Sequence, residues 1–372
     1  MIDRRILTGF ELWFILVILL IQGMGVLSIF SVTYNPEAAS GLPVYAKQIA
    51  WIAIGWGSFL LFAFYDYRKM TRYSFPFYGL CIAMLVLVLF FGRTGGGAQR
   101  WLSLGLFNVQ PSEWIKVSLI LVVAKYFSGR QQQRGLNLAS LIAPSFLLLV
   151  PLLLVLKQPD LGTALAILFL FAVMVFLAGF QSKRVGFSAL ISLMAFPFVW
   201  EIFWNSLKDY QRNRLSTFFN PSQDPMGVGY HALQSKIAIG SGGLLGKGLW
   251  GGTQSQLKFL PEGHTDFIFA VFAEEWGFIG VLVLFTFYFL LIAWAIRVAL
   301  RAKDTLGSLI AGGVVAMLLF SVLVNIAMTA GVAPVVGVPL PLMSYGGNSL
   351  VTTMATLGLL LNIRTRRFML FY

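Results

Sequence analysis

Three acids and one lysine stand where long apolar stretches of the chain begin, and their side chains are the first candidates for chemistry. Asp266, Asp160 and Glu113 each lie at or near the start of such a stretch, and Lys116 follows Glu113 by three residues. If these stretches cross a membrane, an ionisable side chain at its centre costs about 2.5–3.5 kcal/mol. A carboxylate at a helix start can act as a general base, and a lysine can stabilise an anionic group.

The same residues also have a structural interpretation. An acid in the first turn of a helix stabilises that helix by about 0.3–1 kcal/mol. The strings at 110–113 and 158–160 each place a proline and an acid where a helix would start. Thr265 could be the N-cap of the helix that the next aspartate opens, and the Glu-Lys pair could neutralise itself on one helical face. These alternatives stay open at the level of sequence.

Composition decides which class of protein positions these groups. The chain has 372 residues, of which 58% are hydrophobic and 11% are charged, with a mean hydropathy of +0.82. A soluble domain carries about 25% charged residues, so a soluble enzyme, a nucleic-acid-binding module and a disordered chain are excluded. The lone Cys81 and two histidines exclude an intrachain disulfide and a His-rich metal cluster. The sequence predicts a polytopic membrane protein.

Ten apolar stretches approach the roughly 20 residues that a helix needs to cross a membrane. They predict an all-α fold of ten transmembrane helices in a single domain over 1–372. A large extracytoplasmic loop at 205–264, between helices 7 and 8, would carry short helices, one of them near 230–240. The ten stretches are 12–33, 48–65, 74–91, 112–127, 138–156, 161–180, 185–204, 266–296, 308–330 and 348–363.

The distribution of basic residues predicts the orientation. Sixteen Lys and Arg residues fall in the termini and even-numbered loops, against four in the short odd-numbered loops. Positive charge accumulates on the cytoplasmic side, so both termini are expected in the cytoplasm. The glycine- and proline-rich strings then lie on the outer face, where we expect the chemistry.

The predicted eighth helix contains further polar and small residues. Glu274 and Glu275 fall toward the middle of the membrane and could bind protons, hold the bundle together or line a polar cavity. A stripe of small residues shares the face of Asp266, which predicts that this face packs against other helices. The stripe consists of Ala270, Ala273, Gly277 and Gly280.

Several strings, in one order along nearly the whole chain, resemble the SEDS family (shape, elongation, division and sporulation). They are GGGAQRW at 95–101, QPSE at 110–113, QPDLGT at 158–163, PEGHTDF at 261–267, AEEWG at 273–277, PLP at 339–341 and SYGG at 344–347. Three more strings resemble the elongation branch of that family more than its division branch. These are DYQR at 209–212, QSKIAIG at 234–240 and GTQSQL at 252–257.

The resemblance implies a bacterial peptidoglycan glycosyltransferase that polymerises lipid II into β-1,4 glycan strands for cell elongation and rod shape. It places the enzyme in the cytoplasmic (inner) membrane with the active site on the outer face. It also implies a class B penicillin-binding protein as transpeptidase partner, together with membrane proteins of the elongation complex. Asp266 matches the family's essential aspartate, and Glu113, Lys116 and Asp160 match positions that line its cavity.

The chemistry of that reaction assigns expected roles. Asp266 would act as general base in an inverting displacement of undecaprenyl diphosphate, with a covalent intermediate on Asp266 as the less favoured route. Lys116, with Arg100 or Arg212 and a divalent cation (Mg²⁺ or Mn²⁺), would neutralise the diphosphate. The full set of expected substrate-binding residues is Glu113, Lys116, Asp160, Arg100, Gln211, Arg212, Lys236, His264 and Ser344.

Two other functions fit ten helices. A lipid II flippase or transporter would use broken helices and charges near the midplane, for which Glu274 and Glu275 are candidates. A non-catalytic scaffold would dock a partner's helix and would tolerate substitution of Asp266. Because the polar strings gather on one side, the sequence favours a one-sided enzyme.

Overall fold

A computed structural model describes most of the chain as α-helix. The described residues are 11–34, 42–95, 98–103, 105, 108–129, 138–179, 212, 228–257, 259–260 and 263–366. The predicted span at 185–204 and Gln211 lie outside these residues.

The described helices are numbered here in chain order. They are α1 (Leu12–Thr33), α2 (Val44–Phe64), α3 (Tyr67–Arg72), α4 (Ser74–Phe91), α5 (Pro111–Ser128), α6 (Ile142–Lys157), α7 (Leu161–Leu177), α8 (Val228–Ser241), α9 (Thr253–Gln256), α10 (Ile268–Leu300), α11 (Thr305–Thr329) and α12 (Gly347–Thr365). A 3₁₀ turn at Leu138–Leu141 leads into α6.

Five of the described helices, α1, α2, α4, α10 and α11, are long and apolar enough to cross a membrane. The helices α6 and α7 are apolar but shorter. These helices confirm that the chain is a multi-pass membrane protein, as the composition predicts. The count of ten spans stays a prediction. The helix predicted near 230–240 is confirmed as α8.

The expectation of an all-α fold is wrong in one place. Between the predicted spans 74–91 and 112–127, the described residues form a three-stranded antiparallel sheet of β1 (Arg93–Gly95), β2 (Ala98–Ser103) and β3 (Asn108–Val109). Residue Arg93 pairs with Trp101, and Leu102 pairs with Val109. Arg100 of β2 reaches Pro159 and Asp160 at the start of α7.

The helices α5, α11 and α12 form the centre of the bundle, since most of their residues are buried. Small residues let neighbouring helices approach closely, as is usual inside membranes. At Gly358 of α12, an added Cβ would lie 2.2 Å from the carbonyl oxygen of Phe59 on α2. The backbones of α12 and α2 therefore pack closely against each other at this crossing.

The longest helix, α10, is broken at Gly277, which has φ 64° and ψ −167°. The segment at 205–264 is called the insert from here on. Its turn between α8 and α9 supplies hydrogen-bond partners for the backbone groups that the break leaves without helical partners. Lys247 N and Gly248 N donate to the carbonyls of Glu274 and Glu275, and Phe278 N donates to Gly243 O. Irregular backbone at membrane depth requires such partners. The break fixes the insert against the first half of α10.

The end of the bundle opposite to Asp266 is held by ion pairs. Arg68 contacts Asp304 at 2.7 Å, and Arg364 contacts Glu11 at 2.7 Å. Burial of the Asp304 carboxyl raises its pKa, but hydrogen bonds from Gly307 N–H, Tyr67 and Arg68 outweigh that effect. The pKa of Asp304 therefore lies below its usual value.

Candidate functional site

A cavity of about 370 Å³ lies where α5, α7 and α11 meet the turn before α10. Five of the predicted site residues line it together, and they come from four separate parts of the chain. The other lining residues are mostly small or polar. The predicted residues are Arg100, Glu113, Lys116, Asp160 and Asp266, and the rest are Trp101, Gln110, Gly162, Thr163, Ala166, Thr265, Ser321, Gly337, Val338, Pro339, Tyr345, Gly346, Asn348 and Ser349.

Asp266 lies in a turn that precedes α10. The helix starts at Ile268 with Phe267 as its N-cap, and the Phe267 side chain makes no capping hydrogen bond. The suggestion that Thr265 is the N-cap is therefore wrong, and Asp266 stands outside the first helical turn. Its half-buried side chain borders the cavity. Asp266 therefore lies before the N-cap of α10, at the wall of the cavity.

The small-residue stripe beyond Asp266 is buried, as the sequence predicts. Ala270 is fully buried and Ala273 is nearly so, and Gly277 and Gly280 are buried as well. The break at Gly277 means that the four residues do not lie on one continuous helix. The packing partner at Gly277 is the insert, whose Gly246 N would lie 2.2 Å from an added Cβ.

Glu113 and Lys116 form a buried ion pair at the start of α5. The Lys116 Nζ lies 2.8 Å from Glu113 Oε1, and both residues are less than 10% exposed. Thr352 of α12 donates from Oγ1 to Glu113 Oε2 at 3.1 Å. The second carboxylate oxygen is thus also satisfied, and the ammonium group is held at the edge of the cavity.

Asp160 and Arg100 form a second pair across the cavity wall. Asp160 is the N-cap of α7, where it accepts from Thr163 N at 3.2 Å and from Thr163 Oγ1 at 2.9 Å. The guanidinium of Arg100 lies 3.7 Å from Asp160 Oδ1 and donates to Pro159 O at 2.6 Å. Capping chemistry at Asp160 is confirmed, and the same contacts aim a guanidinium at the cavity.

The remaining predicted residues lie elsewhere. Ser344 lies beneath the turn, donates to Thr265 O at 2.8 Å and accepts from Leu340 N at 2.8 Å. The carbonyl of His264 accepts from Tyr345 N at 2.9 Å. Lys236 lies on α8, with its side chain against Gly331 at the end of α11. Of residues 180–227, the structure describes only Arg212. The described lining of the cavity does not include His264, Ser344, Lys236 or Arg212.

Glu274 and Glu275 hold parts of the structure together. Glu274 is fully buried, contacts Lys247 Nζ at 2.8 Å and accepts from the backbone N–H groups of Gln254 and Ser255. Glu275 accepts a hydrogen bond from Ser31 of α1. Of the three roles left open by the sequence, these contacts correspond to holding the bundle and its insert.

The described part of the chain contains no set of side chains that could by itself bind the expected divalent cation. No group of three or more His, Cys, Asp or Glu side chains lies close enough there to hold a metal ion. Within the cavity, Glu113 and Asp160 already accept hydrogen bonds from protein groups. No catalytic step is therefore assigned to a protein-held metal, and the cation requirement stays a prediction.

Three polar residues that contribute to the site were assigned no role from the sequence. Asn325 of α11 donates to the carbonyl of Asp266, Thr352 donates to Glu113, and Asn348 donates to Asn108 O at 2.8 Å. The sequence signal that could have identified them is a polar side chain within or beside an apolar helix. Because burying such a side chain is costly, its presence indicates a hydrogen-bond partner or a role in function. Tyr345, which belongs to the SYGG string, also lines the cavity, and burial raises the pKa of its phenol.

The cavity, with three carboxylates and two cations at one end of a bundle of apolar helices, can be compared with known proteins. Residues 11–368 match the model of the FtsW/RodA/SpoVE family, described as "Cell cycle protein". The chain belongs to this family. The peptidoglycan glycosyltransferase MrdB of Escherichia coli (strain K12) is 43% identical over 335 residues, which cover 90% of this chain and 89% of that protein. The chain is a glycosyltransferase of peptidoglycan synthesis, as these relatives are.

Solved structures agree with this assignment. The rod shape determining protein RodA of Thermus thermophilus is 31% identical, with a TM-score of 0.71 over 97% of this chain and 98% of that one. A second chain is 34% identical, with a TM-score of 0.81 over 96% of this chain and 98% of that one. It comes from a structure described as "Structural coordination of polymerization and crosslinking by a peptidoglycan synthase complex". The fold of the family is therefore that of the present chain.

Proposed function

We propose that the protein polymerises lipid II into β-1,4-linked glycan strands at the outer face of the bacterial inner membrane, for cell elongation. The observation that carries the proposal is the shared cavity, which joins the Asp266 carboxylate to the Arg100 and Lys116 cations. The reaction needs a base for the acceptor hydroxyl and positive charge for the departing diphosphate. The cavity residues provide both kinds of group.

In the proposed mechanism, the oxygen of the acceptor 4-hydroxyl attacks the donor's anomeric carbon. Asp266 takes the proton of that hydroxyl during the attack. The new carbon–oxygen bond forms as the bond to the diphosphate breaks, and undecaprenyl diphosphate leaves with the electron pair. The α-linked donor becomes a β-linked product, so the configuration inverts. Arg100 and Lys116 stabilise the charge that develops on the leaving group.

The two cations are well placed to act on an incoming anion because the protein holds each one in position beforehand. Lys116 is fixed by Glu113, and Arg100 is fixed by Asp160 and the Pro159 carbonyl. Preorganised charges in a water-poor site stabilise a transition state without reorganising during the reaction. Substrate roles for Gln211, Arg212, Lys236, His264 and Ser344 remain part of the proposal; Ser344 would act through the turn that it supports.

The proposed orientation follows from the loop charges, with sixteen basic residues against four. Both termini would be cytoplasmic, and ten spans would place the cavity and the insert at 205–264 on the outer face. A class B penicillin-binding protein would supply transpeptidase activity to the same strands. The structural relative in a polymerisation and crosslinking complex supports this partnership.

The contacts of Glu274 and Glu275 do not favour a flippase. A transporter would use such charges along its substrate path, whereas these two carboxylates hold the insert and α1.

The direct test of the proposed function uses purified protein with labelled lipid II, scored for glycan polymer on a gel. We expect polymer from the protein alone, and a product-free reaction that still moves lipid II across vesicles would support the flippase instead.

A further inference from the structure

A single asparagine stands out among the buried polar side chains near the cavity. Asn325 lies on α11, four residues before the helix ends at Thr329, and it is 0% exposed. A buried carboxamide without partners would be costly in such apolar surroundings. Its hydrogen bonds therefore show what the side chain does.

Both of the bonds given by the Asn325 amide nitrogen go to the walls of the cavity. Nδ2 donates to the carbonyl of Asp266 at 2.9 Å and to the carbonyl of Val338 at 2.8 Å. Asp266 and Val338 both line the cavity, although all of α10 and all of α11 lie between them in the chain. One carboxamide thus joins two of the chain segments between which the substrate would bind.

The carbonyl of Asp266 is the last of three successive carbonyls that are held in this way. The carbonyl of His264 accepts from Tyr345 N at 2.9 Å, and that of Thr265 accepts from Ser344 Oγ at 2.8 Å. The backbone carbonyl of each of the residues 264–266 is therefore held by another segment of the chain. Asn325 supplies the bond to Asp266, the residue of this turn proposed as the base. This bond therefore restrains the position of the Asp266 backbone.

We infer that Asn325 is a positioning residue that holds Asp266 in its reactive place, an inference that rests on the proposed function. A base must stand within hydrogen-bond reach of the proton that it removes, and a misplacement of about 1 Å can cost about 100-fold in rate. Loss of the Asn325 bonds should therefore slow the chemical step more than it weakens substrate binding.

Asn362 offers a matched control at the other end of the bundle. It is also 0% exposed, and its Nδ2 donates to the carbonyls of Phe62, Ala63 and Tyr65 at 3.0, 2.9 and 2.6 Å. The two asparagines share residue type, burial and the kind of bond they make. Only Asn325 makes its bonds at the cavity.

The experiment compares Asn325→Ala and Asn362→Ala with the wild type in full-length purified protein, using polymerisation of labelled lipid II. We expect both variants to lower the thermal midpoint. Asn325→Ala should lower kcat by about 10–100-fold with KM within about threefold, and Asn362→Ala should keep kcat per folded molecule. Asn325→Thr, of similar size and with one donor, should lose less and is measured in parallel in case the alanine variant folds poorly.

A wild-type kcat in both Asn325→Ala and Asn325→Thr would overturn the inference. So would a rise in KM with kcat unchanged, or an equal fall of kcat in Asn362→Ala, which would indicate general destabilisation. If the wild type itself and Asn362→Ala form no polymer, the proposed function fails rather than the role of Asn325. The two failures are thus distinguishable in one set of reactions.

Discussion

Removal of the lysine in the buried pair at the start of α5 should affect stability and catalysis separately. In Lys116→Ala, the Glu113 carboxylate keeps its bond from Thr352 but loses the ammonium 2.8 Å from Oε1. Breaking a buried pair by removing one partner costs about 3–5 kcal/mol, because a charge is left buried and uncompensated. We therefore expect a lower thermal midpoint together with loss of polymerisation.

A double variant separates the two effects. Glu113→Gln with Lys116→Met removes both charges and keeps nearly the same volumes, and such replacement of a buried pair is often close to neutral for stability. The amide of the glutamine can still accept from Thr352. The catalytic loss should remain, because no cation stands at this position. By analogy with removal of one stabilising donor, kcat should fall by about 10²–10³, or about 2.7–4 kcal/mol.

The assay is glycan polymerisation by purified protein at saturating lipid II, with the thermal midpoint of each variant measured in the same detergent. Arg68→Met is a suitable control, since it breaks an ion pair of 2.7 Å at the opposite end of the bundle. It should reduce stability and leave kcat near the wild-type value. A stable double variant that polymerises at the wild-type rate would refute the idea that Lys116 stabilises the leaving group.

Three further predictions concern other parts of the molecule. Gly277→Ala should lower the thermal midpoint, because its Cβ would lie 2.2 Å from Gly246 N, while Gly23→Ala, with open space around the added Cβ, should not. Because the folded-state pKa of Asp304 is lowered, its contribution to stability is present above about pH 4 and is lost as the pH falls through the folded value. The difference in midpoint between wild type and Asp304→Asn should shrink accordingly. Without lipid II, Mn²⁺ should show no saturable binding in calorimetry, since any cation is expected to come with the diphosphate; tight binding to the protein alone would contradict this.

The spans were predictable where hydrophobicity alone decides the structure. The helices α1 and α4 occupy the predicted ranges 12–33 and 74–91, since long apolar runs satisfy their backbone in a membrane only as helices. The break in α10 was not predictable, because glycine is common in spanning helices and Gly277 looked like one member of a packing stripe. What unwinds it is a backbone pairing with Gly243 and Leu244, which lie far away in sequence.

The ionisable members of the cavity were predictable from their rarity, since an acid or lysine beside an apolar stretch demands a partner. Their partners were harder to predict. Thr352 and Asn325 reach Glu113 and the Asp266 turn from helices that are distant in sequence, and an uncharged side chain gives a weaker signal. The partner of Glu274, Lys247, lies in an insert whose path no periodicity reveals.

The proposed mechanism depends on Asp266 as the general base of the reaction. It is tested most directly by Asp266→Asn, which keeps the side chain's shape and removes its ability to accept a proton. With purified protein and labelled lipid II, we predict no polymer from Asp266→Asn at a wild-type thermal midpoint, while the control Asp304→Asn, at the opposite end of the bundle, remains active. Polymer formation by Asp266→Asn at the wild-type rate would contradict the account.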